Sequence, residues 1–351
     1  MNDVGDDERL KMLSEIDLEA AVRAGIVDVA TRDRLLAFAG ARDAAAGPDE
    51  ESFRLLTGFN DIFVTIAIGL VLFAIGSLAG RVAPTVGAGL VAAASWGLAE
   101  YFTRVRRLAL PSLVLLLAFV GSVFVTVLGL TSGGTGLGPQ TVGRFAVVLA
   151  GAAAAIAAYG HWRRFMVPIT VAAGAAAVGA MLLAAVSAIT PLSSDLLLVL
   201  LLLAGLAIFA LAMAFDMRDR ARVTRWTDVA FWLHLLAAPA IIHPVFSLAG
   251  LLGTRPAPGA ALAVIAVYAG LTVVALAIDR RALLVSALAY VVYAIQSLVA
   301  GGGALDTSLA LTALVIGTFL VLLSAAWRPI RARVLALLPV GLTARLPVVT
   351  V

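Results

Sequence analysis

Apolar residues run along most of the chain in long, unbroken stretches, and short segments rich in arginine, glycine or proline separate them. An α-helix needs about 20 such residues to cross the hydrocarbon core of a bilayer. The regular alternation that marks a half-buried strand is missing from the sequence. The pattern therefore predicts an all-α fold, a polytopic transmembrane helical bundle of about ten spans. These cover residues 61–80, 82–102, 108–130, 141–160, 165–189, 196–215, 229–251, 260–278, 282–300 and 307–327.

The composition agrees with a membrane protein. Of the 351 residues, 62% are hydrophobic and 13% are charged, whereas a soluble domain is usually about half apolar and about a quarter charged. These values exclude an ordinary soluble enzyme, a disordered protein, a collagen and a coiled coil. The chain has no cysteine, so it has no disulfide, no thiolate metal site and no cysteine nucleophile.

Arginine is distributed unevenly between alternate loops. One set of loops holds three arginines, Arg81, Arg144 and Arg255. The other set, which includes the tail, holds fifteen: Arg104, Arg106, Arg107, Arg163, Arg164, Arg218, Arg220, Arg222, Arg225, Arg280, Arg281, Arg328, Arg331, Arg333 and Arg345. Because arginine is enriched in cytoplasmic loops, both termini are predicted to be cytoplasmic. An even number of spans agrees with this, since it places both termini on the same side.

An acidic segment precedes the first span. Residues 1–59 hold 13 acidic and 7 basic residues, a net charge of −6, while the whole chain carries +4. Apolar positions at helical spacing predict two short amphipathic helices at residues 7–24 and 28–43, with Gly25 just past the first and a linker at residues 47–51. We predict that residues 1–59 form a cytoplasmic head. This head either binds a cytoplasmic protein partner or packs on itself and on the inner loops.

The remaining chain divides into a ten-span transmembrane domain, residues 60–327, and a tail, residues 328–351. The tail is apolar but too short and too interrupted by proline to cross the membrane again. Arginines beside leucines favour a cytoplasmic interfacial segment along the inner leaflet. The first apolar run starts near residue 61, behind the acidic head, so no cleavable signal peptide is expected.

The head carries a resemblance to a known group of proteins. The sequence reads LEAAVRAGI at residues 18–26, RDRLLAF at 32–38 and SFRLL at 52–56, and it leads directly into the first span. This stretch resembles the N-terminal signature of the DUF2157-type predicted multipass membrane proteins of bacteria. The resemblance covers about the first 80 residues. It implies a short helical head, many spans and a place in the bacterial inner (plasma) membrane, and it implies no activity.

The seventh span holds the strongest candidate for a functional site. Ionisable groups are costly inside a membrane, so His234 and His243 are each a functional hypothesis. Nine residues separate them, which places them about 180° apart on an ideal helix. Pro239 and Pro244 permit a kink or a break between or beside them. His234 is predicted to accept a proton or bind a ligand, since imidazole changes charge near neutral pH. The alternative is that both histidines bond to neighbouring helices and hold the kink.

The ninth span holds a second polar stripe. Ser286, Tyr290, Tyr293 and Ser297 follow at spacings of four, three and four residues, so they lie on one helix face, and Gln296 borders it. These groups either line a cavity or form hydrogen bonds between helices. Together with His234, they predict a substrate or proton pathway between spans seven and nine.

Carboxylates are confined to the span ends in this prediction. The full set is Asp61, Glu100, Asp195, Asp216, Asp228, Asp279 and Asp306. We expect most of them to be charged groups solvated at the membrane interface. Glu100 is expected to pair with Arg104, and Asp279 with nearby arginines. No carboxylate lies at the centre of a predicted span, which argues against an ion-driven pump of the acidic type. Spans four and five are rich in glycine and alanine and are predicted to pack tightly.

The sequence lacks the motifs of several enzyme classes. It has no P-loop, no dinucleotide fingerprint, no His-Glu-x-x-His and no nucleophile elbow. We therefore predict no enzyme activity, no cofactor, no metal and no nucleic-acid partner; the expected partners are the lipid bilayer and a small-molecule solute. The predicted function is a small-solute transporter or channel-like protein. The alternative is a membrane sensor, scaffold or assembly factor that acts through its cytoplasmic head.

Overall fold

The computed structural model describes residues 15–45, 59–132, 143–219, 222, 224–250, 260–281, 283–284, 288, 291–292, 314, 317–343 and 346. All secondary-structure elements within these residues are helices, and none is a strand. The chain divides into two compact units, one that ends at Ser52 and one that begins at Phe53. We describe each unit by itself.

The first unit is a pair of short helices in the predicted head. Helix α1 covers Glu15–Arg23 and α2 covers Val29–Ala45, and the two pack against each other. Gly25 has a φ of 69°, which suits glycine and confirms its predicted place just after α1. The backbone amide of Thr31 donates to Asp28 at 2.6 Å. This bond holds the pKa of the Asp28 carboxyl below its usual value and begins α2 with a cap.

The second unit contains eight helices at the positions of the first eight predicted spans. They are α3 (Phe59–Gly80), α4 (Pro84–Ala99), α5 (Ala109–Thr131), α6 (Arg144–Phe165), α7 (Ile169–Ile189), α8 (Ser194–Arg218), α9 (Arg225–Leu248) and α10 (Ala260–Ile278). A π-helix, Glu100–Val105, continues α4. Six of the described helices, α3 and α5 to α9, are long and apolar enough to cross a membrane. The described part of the chain is thus all-helical and holds six candidate spans, and the count of ten stays a prediction.

Most of the ninth and tenth predicted spans lies outside the described residues, although residues 317–325 are helical. The tail begins with two helices, α11 (Trp327–Ala336) and α12 (Val340–Thr343). Helix α11 packs against α10. Trp327 and Arg331 on α11 are buried, whereas Leu337 and Val340 are 86% and 83% exposed. The tail thus packs on the rest of this unit through Trp327 and Arg331 and exposes apolar side chains, which suits an interfacial segment.

Helix α9 is the most buried of the six candidate spans. Half of its apolar window is buried, against 11% for α3 and for α8, and it packs against both α7 and α8. Glycine permits the close approach of α8, because a Cβ at Gly205 would lie 2.9 Å from the carbonyl carbon of Ala240 on α9. The buried His234 on α9 therefore faces other helices, whereas His243 is exposed.

Helices α6 and α7 confirm the tight packing predicted for spans four and five. Ala150, Ala154 and Ala158 form a buried stripe on α6 at a spacing of four residues. A Cβ at Gly151 would lie 2.9 Å from the Cβ of Met181 on α7. Small side chains thus bring these two helices into close contact.

Candidate functional site

Three buried ionisable side chains meet where α8, α9 and the end of α10 come together. The Nε2 atom of His234 lies 2.9 Å from Oδ2 of Asp216. Arg280 donates from Nε to the same Oδ2 at 3.2 Å, and from Nη2 to Oδ1. Relative exposure is 0% for His234, 2% for Asp216 and 1% for Arg280. We call these three residues the His234 triad.

Helical periodicity places the triad on facing surfaces. Asp216 and Phe209 lie seven residues apart on one face of α8, and His234 and Thr227 do so on α9. The Phe209 ring packs against the imidazole with its centroid 5.1 Å away. Arg280 also donates to the backbone carbonyl of Thr227 at 3.3 Å. One guanidinium group therefore joins α8 and α9 to the end of α10.

The imidazole of His234 has one engaged and one unengaged nitrogen. Because a carboxylate accepts hydrogen bonds, the Nε2 that faces Asp216 carries the proton in the neutral ring. The Nδ1 atom is buried and has no hydrogen-bond partner within the described part of the chain. This nitrogen has a lone pair that can take up a second proton.

A second set of buried charges, which we call the Asp279 group, lies beside the triad. Asp279 accepts from Arg222 Nη1 at 2.8 Å and from the indole Nε1 of Trp327 at 2.8 Å. Arg331 Nε lies 3.5 Å from the same carboxylate and donates to the carbonyl of Leu276 at 3.2 Å. The exposed fractions of the Arg222, Asp279 and Arg331 side chains are 7%, 4% and 3%.

The connection between α8 and α9 is fixed by a third carboxylate. Oδ2 of Asp219 accepts from the amide of Thr224 at 2.8 Å, from its hydroxyl at 2.5 Å and from the hydroxyl of Thr227 at 2.9 Å. Thr224 in turn caps the N-terminus of α9. These bonds hold the start of α9, and hence His234, at a set position relative to α8.

Charge within the triad, the Asp279 group and Asp219 is balanced when His234 is neutral. The set holds three aspartates, namely Asp216, Asp219 and Asp279. It also holds three arginines, namely Arg222, Arg280 and Arg331. A proton on His234 adds one positive charge to this balanced set. In a region of low dielectric constant, that charge changes the interaction energies of its neighbours strongly.

Burial of the carboxylates corrects one prediction. Asp61 and Asp216 were expected to be solvated, but each is only 2% exposed. For Asp216 the reason is that Arg280 from another connection reaches it. Asp279 pairs with arginines as predicted, but its partners are Arg222 and Arg331 from other connections and not its neighbours in sequence. The pair of Glu100 with Arg104, at 3.3 Å, is also confirmed. Asp195 is exposed and Asp228 half-buried, and Asp306 lies outside the described residues.

The other predicted site residues of α9 are separated from His234. His243 is exposed while His234 is buried, so the expected placement on opposite faces is confirmed. Helix α9 passes through Pro239 and Pro244 without interruption, so the break that prolines permit does not occur; the kink stays a prediction. The predicted stripe of span nine lies outside the described residues, namely Ser286, Tyr290, Tyr293, Gln296 and Ser297.

Sequence reasoning missed the partners of His234. The structure brings Asp216 and Arg280 to it, although they lie 18 residues before and 46 residues after it. A weak signal was present, because Asp216, Asp219 and Asp279 are acids inside or beside otherwise arginine-rich segments. Such acids at the ends of apolar helices are candidates for pairing across loops.

A third histidine, His161 on α6, occupies a different environment. Its Nδ1 lies 3.2 Å from the hydroxyl of Thr170 on α7. The rings of Trp96, Phe119 and Phe165 surround it at centroid distances of 6.2, 6.0 and 4.5 Å. No carboxylate is bonded to this imidazole within the part of the chain that the structure describes.

Among the described residues, no group of three or more His, Cys, Asp or Glu side chains could hold a metal ion. Comparison of the chain with protein families, with curated proteins and with solved structures finds no match. The geometry of the site is therefore the basis for a functional proposal.

Proposed function

We propose that this protein moves a small solute across a membrane together with, or in exchange for, protons, and that the His234 triad is its proton-binding site. The observation that carries the proposal is a fully buried imidazole bonded to a carboxylate that a guanidinium group already holds. Histidine is the side chain whose unperturbed pKa lies near neutral pH, so its charge changes there. His234 lies among candidate membrane-spanning helices, so a change in its charge alters the interactions between those helices.

Stability alone does not explain the triad. Removing charged groups from water is costly, and well-packed apolar residues of similar size often stabilise a protein as well or better. Ionisable residues buried within or at the ends of candidate membrane helices are accordingly functional hypotheses. The charges therefore point to a function that needs them.

The shared oxygen of Asp216 suggests how a proton is coupled to movement. His234 Nε2 and Arg280 Nε approach the same Oδ2, at 2.9 and 3.2 Å. A protonated His234 is a stronger donor to that oxygen than a neutral one, and it repels Arg280. Protonation thus weakens the hold of Arg280 on α8 and releases the end of α10. A conformational change of this kind is what alternating access requires.

We also propose ten spans with both termini in the cytoplasm of a bacterium, in keeping with the resemblance to DUF2157-type proteins. Support comes from ion pairs that join arginine-rich connections. Arg164 donates to Glu100 at 2.7 and 2.9 Å, which brings the α6–α7 and α4–α5 connections together. Arg222 likewise meets Asp279 across the α8–α9 connection and the end of α10. Loops predicted to lie on one side of the membrane are thus neighbours.

The solute pathway is proposed to run between α9 and the ninth predicted span. Arg280 bonds to both α8 and α9 and directly precedes that span. The polar stripe that begins at Ser286 therefore follows the triad closely in sequence. Its hydroxyl and phenol groups suit a solute that carries hydrogen-bonding groups.

A second candidate function is a sensor or scaffold that acts through the head. The head is a compact unit by itself. It exposes apolar side chains, with Ile26 at 77%, Val29 at 52% and Leu35 at 43% exposure. Such a surface suits a protein partner. Under this proposal, the buried charges hold the helices in place and no solute moves.

Uptake into proteoliposomes separates the two candidates. Purified protein is reconstituted, a pH gradient is imposed, and a mixture of amino acids, sugars, nucleosides, organic acids and polyamines is added. Transport predicts that mass spectrometry finds at least one class accumulated inside, and that His234→Gln abolishes it. His161→Gln removes an equally buried imidazole elsewhere and should retain uptake. Equal lumenal contents in protein-containing and empty vesicles would favour the scaffold.

The absence of cysteine makes the proposed orientation simple to test. Single cysteines at Arg106 and Ser132, which lie at opposite ends of α5, are labelled in intact cells with a membrane-impermeant maleimide. We expect labelling at residue 132 only, because arginine-rich loops are cytoplasmic. Labelling at residue 106 alone would reverse the orientation.

A further inference from the structure

A small cleft is lined by Arg281, Leu284 and Leu288 on one side and by residues 320–327 on the other. Its volume is ≈ 190 Å³. Four leucines form most of its wall, namely Leu284, Leu288, Leu320 and Leu323. Water in such a cleft would find few hydrogen-bond partners, so an apolar occupant is favoured.

The rim of the cleft carries a positive charge. Arg281 and Trp327 line it, and the Arg281 guanidinium carbon lies 4.9 Å from the centroid of the Trp327 ring. This distance is within the range of a cation–π interaction. The indole of Trp327 is itself fixed, because its Nε1 donates to the buried carboxylate of Asp279. The position of the Arg281 cation is therefore set by the protein before any ligand binds.

Further polar groups lie in or next to this lining. Ser324 lines the cleft with its hydroxyl-bearing side chain, and the exposed Arg328 directly follows Trp327 in sequence. Basic pockets between membrane helices, with tryptophan at the interface, bind the headgroups of anionic lipids. The cleft thus combines a cationic rim with an apolar interior, which matches a molecule with an anionic head and an apolar chain.

We propose that this cleft is a binding site for an anionic phospholipid of the surrounding bilayer. Part of one acyl chain occupies the space between the four leucines, and the phosphate lies against Arg281. The volume is too small for a whole lipid, so the remainder of the molecule stays in the bilayer. The cleft and the His234 triad have no residue in common, although Arg281 directly follows Arg280. The proposal does not depend on transport.

Native mass spectrometry of the full-length protein in detergent tests the proposal. Phosphatidylglycerol or phosphatidylcholine with the same acyl chains is added, and the bound fraction is measured against lipid concentration. We expect phosphatidylglycerol to bind more tightly. Arg281→Gln should weaken it about fivefold and leave phosphatidylcholine binding unchanged. Leu320→Trp fills the cleft without changing charge and should remove the tight binding of phosphatidylglycerol.

Arg106→Gln is the matched control, because it removes an exposed arginine from another connection. It should bind phosphatidylglycerol like the unsubstituted protein. Equal affinity for the two lipids in the unsubstituted protein would overturn the proposal. So would equal loss of phosphatidylglycerol binding in Arg281→Gln and Arg106→Gln, or its full retention in both Arg281→Gln and Leu320→Trp.

Discussion

Two histidines are fully buried among the helices of this protein, and their neighbours differ in charge. His234 bonds to a carboxylate that is itself bonded to a guanidinium group. His161 bonds to the neutral hydroxyl of Thr170 and lies among three aromatic rings. Both side chains have 0% exposure. Burial is therefore the same at the two sites, and only the chemistry of the partners separates them.

The difference indicates that the surroundings of His234, and not those of His161, accommodate a charged imidazole. A protonated His234 is stabilised by Asp216, whereas a protonated His161 has no carboxylate beside it within the described residues. The helices agree with this division. Helices α6 and α7 are joined by alanine and glycine, while the ends of α8 to α11 are joined by ion pairs. Small apolar side chains thus make the first contact, and buried charges make the second.

The largest effect is expected for Asp216→Ala. This substitution leaves Arg280 and His234 buried without their shared carboxylate, and breaking a buried ion pair by removing one partner costs about 3–5 kcal/mol. The free energy of unfolding can be measured by titrating sodium dodecyl sulfate into mixed micelles.

The double variant Asp216→Leu with Arg280→Met serves as the control. It removes both charges and should recover much of the lost stability. A loss below about 1 kcal/mol for Asp216→Ala would show that the carboxylate is solvated, as the sequence suggested, and would contradict the buried triad.

Intermediate effects are expected where helices approach closely. A Cβ at Gly205 would lie 2.9 Å from the backbone of α9, and one at Gly151 would lie 2.9 Å from Met181. Gly205→Ala and Gly151→Ala should each destabilise by about 1–3 kcal/mol through overpacking. Only Gly205→Ala should also reduce transport, because it separates α8 from α9 and hence Asp216 from His234.

Gly179→Ala provides the matched control on α7, because a Cβ there meets nothing within 4 Å. It should leave stability equal or slightly higher, since alanine favours helix. If Gly205→Ala and Gly151→Ala transported solute equally well, the contact of α8 with α9 would be no more important for transport than the contact of α6 with α7.

A small effect is expected at the hydroxyl partner of His161. Thr170→Val removes a neutral hydrogen bond and preserves side-chain volume, so it should cost about 1 kcal/mol. Transport should remain, because this bond carries no charge. The same unfolding titration and uptake assay measure both quantities. A loss of stability as large as that of Asp216→Ala would mean that the hydrogen bond of His161 to Thr170 contributes as much to stability as the charged partners of His234.

Hydropathy alone located the helices well, since α3 to α10 coincide with the first eight predicted spans. The reason is physical: an apolar run of bilayer length has one stable solution, a helix. The site was predicted in part. His234 stood out as an ionisable group inside a span, but Asp216 was expected to be solvated. A sequence shows that a carboxylate lies at a span end; it does not show that Arg280 from another connection reaches it.

The most direct test of the central claim is a proton measurement. Proteoliposomes loaded with the pH-sensitive dye pyranine are exposed to the solute mixture described above, and the lumenal pH is followed. The account predicts a pH change with the unsubstituted protein and with His161→Gln, and none with His234→Gln or empty vesicles. An unchanged response in His234→Gln, or no response from the unsubstituted protein to any solute class, would contradict it.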